Sequence, residues 1–271
     1  MAQTDERELL ETRDAILAVD EDERDLGTLI EVTNDLGGFY RHRSRLEESC
    51  QNFDMALDAA ERYYGTTARV EYAVILINYA GTYRFLRNWD QAIGLYERAM
   101  GILGGLGAGN TFEYASALNN LGLTYQDMGR HEEALSCAER AHVIVTSSVH
   151  DWQTEASSLV NLASFALSAG DLDKASSLAD QAFAIYDERD GGRAWYPAIN
   201  LRAIIDFRKG KPELALEELR ECADQLLDTF GENSEYASCL GSMAQVQEAL
   251  GRDEEAAELR AQAAAVIAKL S

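Results

Sequence analysis

Apolar residues in this chain recur in columns, and small ones alternate with large ones at fixed distances. With the small residue of "HEEALSC", Ala134, as reference, matching small residues fall at Ser49, Ala92, Ala175, Ala215 and Ala256. Their successive spacings are 43, 42, 41, 40 and 41 residues. Twelve positions earlier stand Gly37, Ala80, Gly122, Ala163, Ala203 and Ala244, and seven positions later Ala56, Ala99, Ala141, Ala182, Cys222 and Ala263. Sixteen before the reference come large aliphatics at Leu76, Leu118, Leu159, Ile199 and Leu240. Five before it stand Ser44, Arg87, Gly129, Gly170, Gly210 and Gly251, mostly the residue that suits the left-handed turn ending a helix.

Small residues at fixed places on two successive helices let the helix backbones approach closely, while large residues fill the adjacent gaps. The polar pattern agrees. Glu132, Glu133, Asp171, Asp173, Glu213 and Asp253 to Glu255 open the second segments, where acids favour the positive end of the helix dipole. Arg41, Arg43, Arg45, Arg208, Lys209 and Lys211 lie at or near the ends of first segments. Each unit is therefore a helical hairpin, and one hairpin must stack on neighbours to bury its apolar faces.

The predicted fold is all-α: a right-handed α-α superhelix of six hairpins behind a leading helix at about residues 5–18, with Asp5 and Glu8 as a cap pair. We read residues 1–271 as a single domain, with repeats at about 20–64, 65–108, 109–149, 150–191, 192–231 and 232–270.

Composition supports a packed helical chain. Of 271 residues 46% are apolar, and only Pro197 and Pro212 bar a helix locally. The formal charge of −23 repels phosphate backbones and anionic lipid, so nucleic acid and membrane are excluded as partners and a neutral or basic protein is favoured. Cys50, Cys137, Cys222 and Cys239 are scattered, without a metal or redox spacing, and are expected as buried thiols. The polar, acidic start and the lack of a long apolar run point to a soluble, cytoplasmic protein.

The columns resemble the tetratricopeptide repeat. Leu121, Gly122, Tyr125, Gly129, Ala134 and Ala141 sit where its signature places Leu, Gly, Tyr, Gly, Ala and Ala. Tyr40 and Tyr83 repeat the aromatic, and Trp89 and Tyr96 fill its other aromatic columns. The longer period, "SALNNLGLTYQDMGRHEEAL" and the acidic linkers "GNTFEYA" and "FGENSEYA" resemble the kinesin-light-chain type. Arg202, Asp206 and Arg260 occupy columns that are apolar or aromatic in the family, so the last two repeats read as degenerate or capping.

A polar stripe crosses these hairpins. Fourteen before the reference the column reads Asp35, Asn78, Asn120, Asn161, Leu201 and Ser242; fifteen before, it includes Asn34, Asn119 and Asn200. A carboxamide offers donors and an acceptor that match an extended peptide backbone. By resemblance, Asn78, Asn120 and Asn161 contact a bound peptide on the concave side; the alternative is that the amides bond to a neighbouring helix or to water. The family's carboxylate clamp is not matched, because Ser116 and Ser157 fill the basic column and Asn120 and Asn161 its Arg column. Arg41 and Arg84, eight before the reference, read either as contacts for an acidic ligand group or as charge at a helix C-terminus.

Other candidates fall away. GILGGLGAGN, residues 101–110, lacks the Lys and the strand of a nucleotide loop and reads as a flexible linker between halves of the solenoid. His142, His150 and Asp151 do not have a ligand spacing, and "DEDERDLG" has Asp25 where a calcium loop needs Gly, so no metal and no cofactor is expected. No nucleophile–base arrangement stands out, so the chain is not read as an enzyme. Leu259, Ala263, Val266, Ile267 and Leu270 cannot all face the last hairpin, and the expectation is an end-to-end homodimer through this helix. The function expected is a protein-interaction scaffold that binds an extended protein or peptide segment in its groove. Two alternatives stand beside it: a receptor for a small signalling peptide acting through a partner protein, and a purely structural oligomer.

Overall fold

A computed structural model describes residues 6–149, 151–190 and 196–270. Asp5 of the expected cap pair and His150 of the histidine group lie outside the described residues. Among those described there are helices and no strands. A leading helix α1 (Glu6–Leu17) and a short 3-10 turn (Glu21–Glu23) precede six hairpins. These are α2 (Leu26–His42) with α3 (Leu46–Tyr64), α4 (Val70–Phe85) with α5 (Trp89–Gly105), and α6 (Phe112–Asp127) with α7 (His131–Ser148). The remaining three are α8 (Trp152–Ser168) with α9 (Leu172–Asp190), α10 (Tyr196–Arg208) with α11 (Pro212–Phe230), and α12 (Ser234–Ala249) with α13 (Asp253–Leu270).

The small-residue columns are where the helices touch. All six reference residues, from Ser49 to Ala256, are no more than 1% exposed. Ala80, Ala163, Ala203 and Ala244 in the column of Gly37 are fully buried, as are Ala56, Ala99, Ala141 and Ala182 on the second helices.

Every hairpin turns the same way. The residue five before the reference has a left-handed backbone in all six repeats, including the non-glycines Ser44 (φ 59°) and Arg87 (φ 57°). The next residue then donates its N–H back across the turn, as from Asn88 to Tyr83 O (2.9 Å) and from Arg130 to Tyr125 O (2.8 Å). This is the Schellman closure of a helix C-terminus, and it holds each second helix antiparallel to its first. Side chains start several of the first helices: Asp25, Thr111, Asp151 and Asn233 each accept the N–H three residues on.

The chain divides into two compact units, the first ending at Ile144 and the second beginning at Val145. In the first unit, Phe53, Tyr72, Leu76, Tyr96 and Leu103 fill the space between hairpins and are at most 1% exposed. In the second, Leu216, Leu219, Leu240 and Val246 are buried in the core between helices. Within the first unit neighbouring first helices pack side by side, α2 with α4 and α4 with α6, and no packing as extensive is seen between α3 and α5 among the described residues. Within the second unit α8 packs with α10 and α10 with α12. The first helices thus form the closer-set inner face of each unit.

The glycine-rich run is shorter as a linker than expected. Gly101–Gly105 complete α5, whose core contact Leu103 is fully buried, and the non-helical link begins at Leu106. The departures in the fifth repeat are absorbed by an ion pair: Arg202 on α10 donates Nε to Glu218 Oε1 on α11 (2.8 Å) and lies over the Phe183 ring. On α13, Ala263 and Val266 face inward, whereas Ile267 and Leu270 are each 55% exposed. No helix among the described residues is long and apolar enough to cross a membrane.

Candidate functional site

Six of the candidate residues lie on first helices of the first unit, α2, α4 and α6. Asn34 and Asn78 meet across adjacent first helices: Asn78 Nδ2 donates to Asn34 Oδ1 at 3.0 Å. Part of the amide stripe is therefore bonded to a neighbouring helix. Asn120 is bonded within α6, its Nδ2 donating to Ser116 O at 2.9 Å. Asn119 beside it is half-buried. The bonds of Asn78 and Asn120 run from Nδ2, and both side chains are half-buried.

The two arginines sit about two turns beyond the amides on the same helices. Arg41 Nη1 donates to the main-chain oxygen of Asn78 at 2.7 Å. It can do so because residue 81 is glycine; a Cβ there would lie 2.7 Å from that same nitrogen. Burial pushes the Arg41 guanidinium below its usual range, and the neighbouring Arg84 pushes the same way, against the attraction of Tyr96. Arg84 Nε donates to Asp127 Oδ2 on α6 at 2.6 Å. Each arginine thus reaches from the end of one first helix to the next.

In the second unit the same two columns continue separately. Asn161 on α8 is exposed and Asn200 on α10 is half-buried. The side-chain oxygen of Asn200 is buried without a hydrogen-bond partner among the described residues.

Two groups escaped the sequence reading. Ser49 Oγ and Thr82 Oγ1 meet at 2.8 Å between hairpins, fully buried. Tyr96 is 0% exposed, with no hydrogen-bond partner for its hydroxyl among the described residues, and burial pushes its pKa up to about 12 against the pull of Arg84 and Arg41. The aromatic column foretold a ring at residue 96, but nothing in the pattern foretold an orphaned hydroxyl. Among the described residues no three His, Cys, Asp or Glu side chains are grouped to hold a metal ion.

Comparison with known proteins identifies the repeat. The sequence model of the tetratricopeptide repeat matches residues 28–103 and 113–188. No curated protein matches the chain by sequence. Solved structures do match in fold. One holds nearly identical TPR-like repeats of a Podosopora anserina protein described as a kinesin light chain: 21% identity, 72% of this chain and 94% of that one, TM-score 0.59. A tetratricopeptide repeat protein from Parabacteroides merdae shares 19% identity over 96% of this chain and 87% of its own, with a TM-score of 0.67. The Rap conjugation gene regulator of plasmid pLS20, in complex with the Phr* peptide, shares 16% identity over 90% and 75%, with a TM-score of 0.62.

Proposed function

The chain belongs to the tetratricopeptide repeat family, and from that premise we propose that it is a non-catalytic scaffold that binds an extended segment of another protein along the inner face of its first helices. The observation that carries this reading is the placement of Asn34, Asn78, Asn119 and Asn120 on the closer-set helices of one unit, with polar atoms left over after their internal bonds. An extended peptide needs donors and acceptors at intervals, and a carboxamide supplies both without reading side chains. On the first helices of the second unit, exposed Asn161 offers the same groups, whereas the side-chain oxygen of Asn200 is buried. Arg41 and Arg84 add selectivity beside the amides.

The test begins with dodecapeptides selected by display on the folded chain, followed by calorimetric titration. Asn78→Ala with Asn120→Ala should weaken a selected peptide by about 1 kcal/mol for each bond lost. Equal affinity for wild type and double variant would remove the amides from the site.

The peptide-bound Rap structure favours a second reading, in which the ligand is a small signalling peptide and the output passes through a partner protein. A radius of gyration that shrinks when a selected peptide saturates the chain, measured by X-ray scattering, supports this reading; an unchanged radius opposes it. Assembly is a separate matter. Ile267 and Leu270 on α13 favour a homodimer through that helix, and a monomer mass by light scattering at tens of micromolar would count against it.

A further inference from the structure

We propose that Arg41 and Arg84, on the inner face of the first unit, form a subsite for a carboxylate group of the bound peptide. This rests on the peptide-binding reading above and names the chemistry that one place on the face selects.

Arginine pairing is the rule in this chain. It has 47 acidic residues against 24 basic ones, and half-buried or exposed arginines such as Arg13, Arg84, Arg202 and Arg252 each meet a carboxylate. Two half-buried arginines, Arg24 and Arg41, pair with no carboxylate among the described residues; Arg24 spends two donors on the carbonyls of Leu17 and Val19 at the end of α1, whereas Arg41 lies beside the candidate amides. Its one hydrogen bond among the described residues goes to the neutral main-chain oxygen of Asn78. Four of its five N–H donors are left over.

The surroundings do not neutralise it. Arg84, from the next first helix, adds a second positive charge close enough to oppose the first. Asp127 engages Arg84 through Nε and leaves its terminal amino groups available. Behind the pair, Tyr96 keeps its proton. Taking a guanidinium partly out of water without a counter-ion is unfavourable. A chain this rich in acids could place one at the spot, and it places Gly81 there instead, which opens room for Nη1 against the α4 backbone. The missing negative charge is then the ligand's. A planar fork of donors fits a carboxylate, and a singly charged group approaches a protein of charge −23 against less repulsion than a phosphate dianion. The subsite differs from the family's carboxylate clamp, whose columns hold Ser116, Ser157, Asn120 and Asn161 here.

The carboxylate has two sources, an acidic side chain or the end of a chain. Three probes separate them: acetyl-AAEAA-amide, acetyl-AAQAA-amide and acetyl-AAAAA with a free carboxylate. The readouts are the Arg Nε–H and Asn side-chain signals of the full-length protein in nitrogen-15 spectra, with Arg41→Gln and Arg41→Lys assigning the Arg41 signal. We expect a saturable shift of Arg41 and Arg84 with the Glu probe, at least tenfold weaker with the Gln probe. A response to the free-carboxylate probe instead keeps the subsite and assigns it to a chain terminus. Shifts spread evenly over all arginines, or none with either acidic probe, overturn the subsite. Movement of Asn78 and Asn120 that is equal for Glu and Gln probes, with Arg41 still, keeps the amide site and sinks the subsite. Movement of Arg41 with the Asn signals unmoved by any probe does the reverse.

Discussion

The hydroxyl of Ser49 donates to the main-chain oxygen of Gly37 at 2.7 Å, joining the two small-residue columns within the first hairpin. The contact shows why both residues are small: α2 and α3 are so close that a Cβ on Gly37 would stand 2.7 Å from Phe53 Cζ. The ring is buried and cannot retreat into solvent. Gly37→Ala should therefore destabilise the chain by about 1–3 kcal/mol through overpacking, against a gain of about 1 kcal/mol in helix propensity. A lower urea midpoint is the expected result, and a raised midpoint would show that the helices are not in close register.

Arg87 occupies a left-handed turn that four of the six repeats give to glycine. Its side chain is exposed. Arg87→Gly should relieve the unfavourable φ of 57° and stabilise the chain by about 0.5–1 kcal/mol, even after the extra entropy of glycine in the unfolded chain. The same change at Ser44, with φ 59°, should act in the same direction. The melting temperature of each variant checks this, and a fall in both would mean that the turns take another form in solution.

These two sites also mark how far the sequence could be read. Helix contacts were legible because close backbones admit only small side chains, so Ala134 and its counterparts carry the packing in their residue type. The turns were legible by register, for Ser44 and Arg87 look nothing like glycine and yet take its backbone. The linker was overread, because glycines at 101, 104 and 105 complete a helix held by Leu103. The amide columns were visible, but their bonds were not. Asn78 meets Asn34 across a repeat boundary, and that pairing depends on the rotation between hairpins. Arg41 reaches Asn78 only because a side chain is missing from residue 81, a relation between positions forty residues apart that no local pattern records.

Arg202 and Glu218 replace apolar packing in the fifth hairpin. Glu218 is 9% exposed and its second oxygen, Oε2, is buried without a hydrogen-bond partner among the described residues. Desolvation pushes its carboxyl up, against the pull of Arg202. Such a pair contributes little net stability, because its attraction is largely offset by the loss of hydration. Glu218→Ala should cost about 2–3 kcal/mol by stranding the guanidinium over Phe183. Arg202→Leu combined with Glu218→Leu should recover most of that loss, or exceed wild type by about 1 kcal/mol. Chemical denaturation of the three proteins checks the order, and a double variant weaker than the single one would mean that the pair is net stabilising.

Asp151 caps α8 with both of its neighbour's donors: Oδ2 accepts from Thr154 N–H at 2.8 Å and from Thr154 Oγ1 at 2.6 Å. The side-chain bond from Thr154, then its main-chain bond, hold the Asp151 carboxyl below its ordinary value of 3.8. A carboxyl with a lowered pKa in the folded chain binds its proton more weakly there than in the unfolded chain. Its contribution is therefore fully present above about pH 5 and shrinks as pH falls through 3.8 toward the lower folded value. Asn at this place caps a helix without titrating. The melting temperatures of wild type and Asp151→Asn should differ by a constant amount between pH 5 and 8, and that difference should shift in favour of the variant between about pH 4 and 3. A difference that stays flat down to pH 3 would mean that the carboxyl binds its proton equally well in both states, and that the cap bonds to Thr154 are not held in solution.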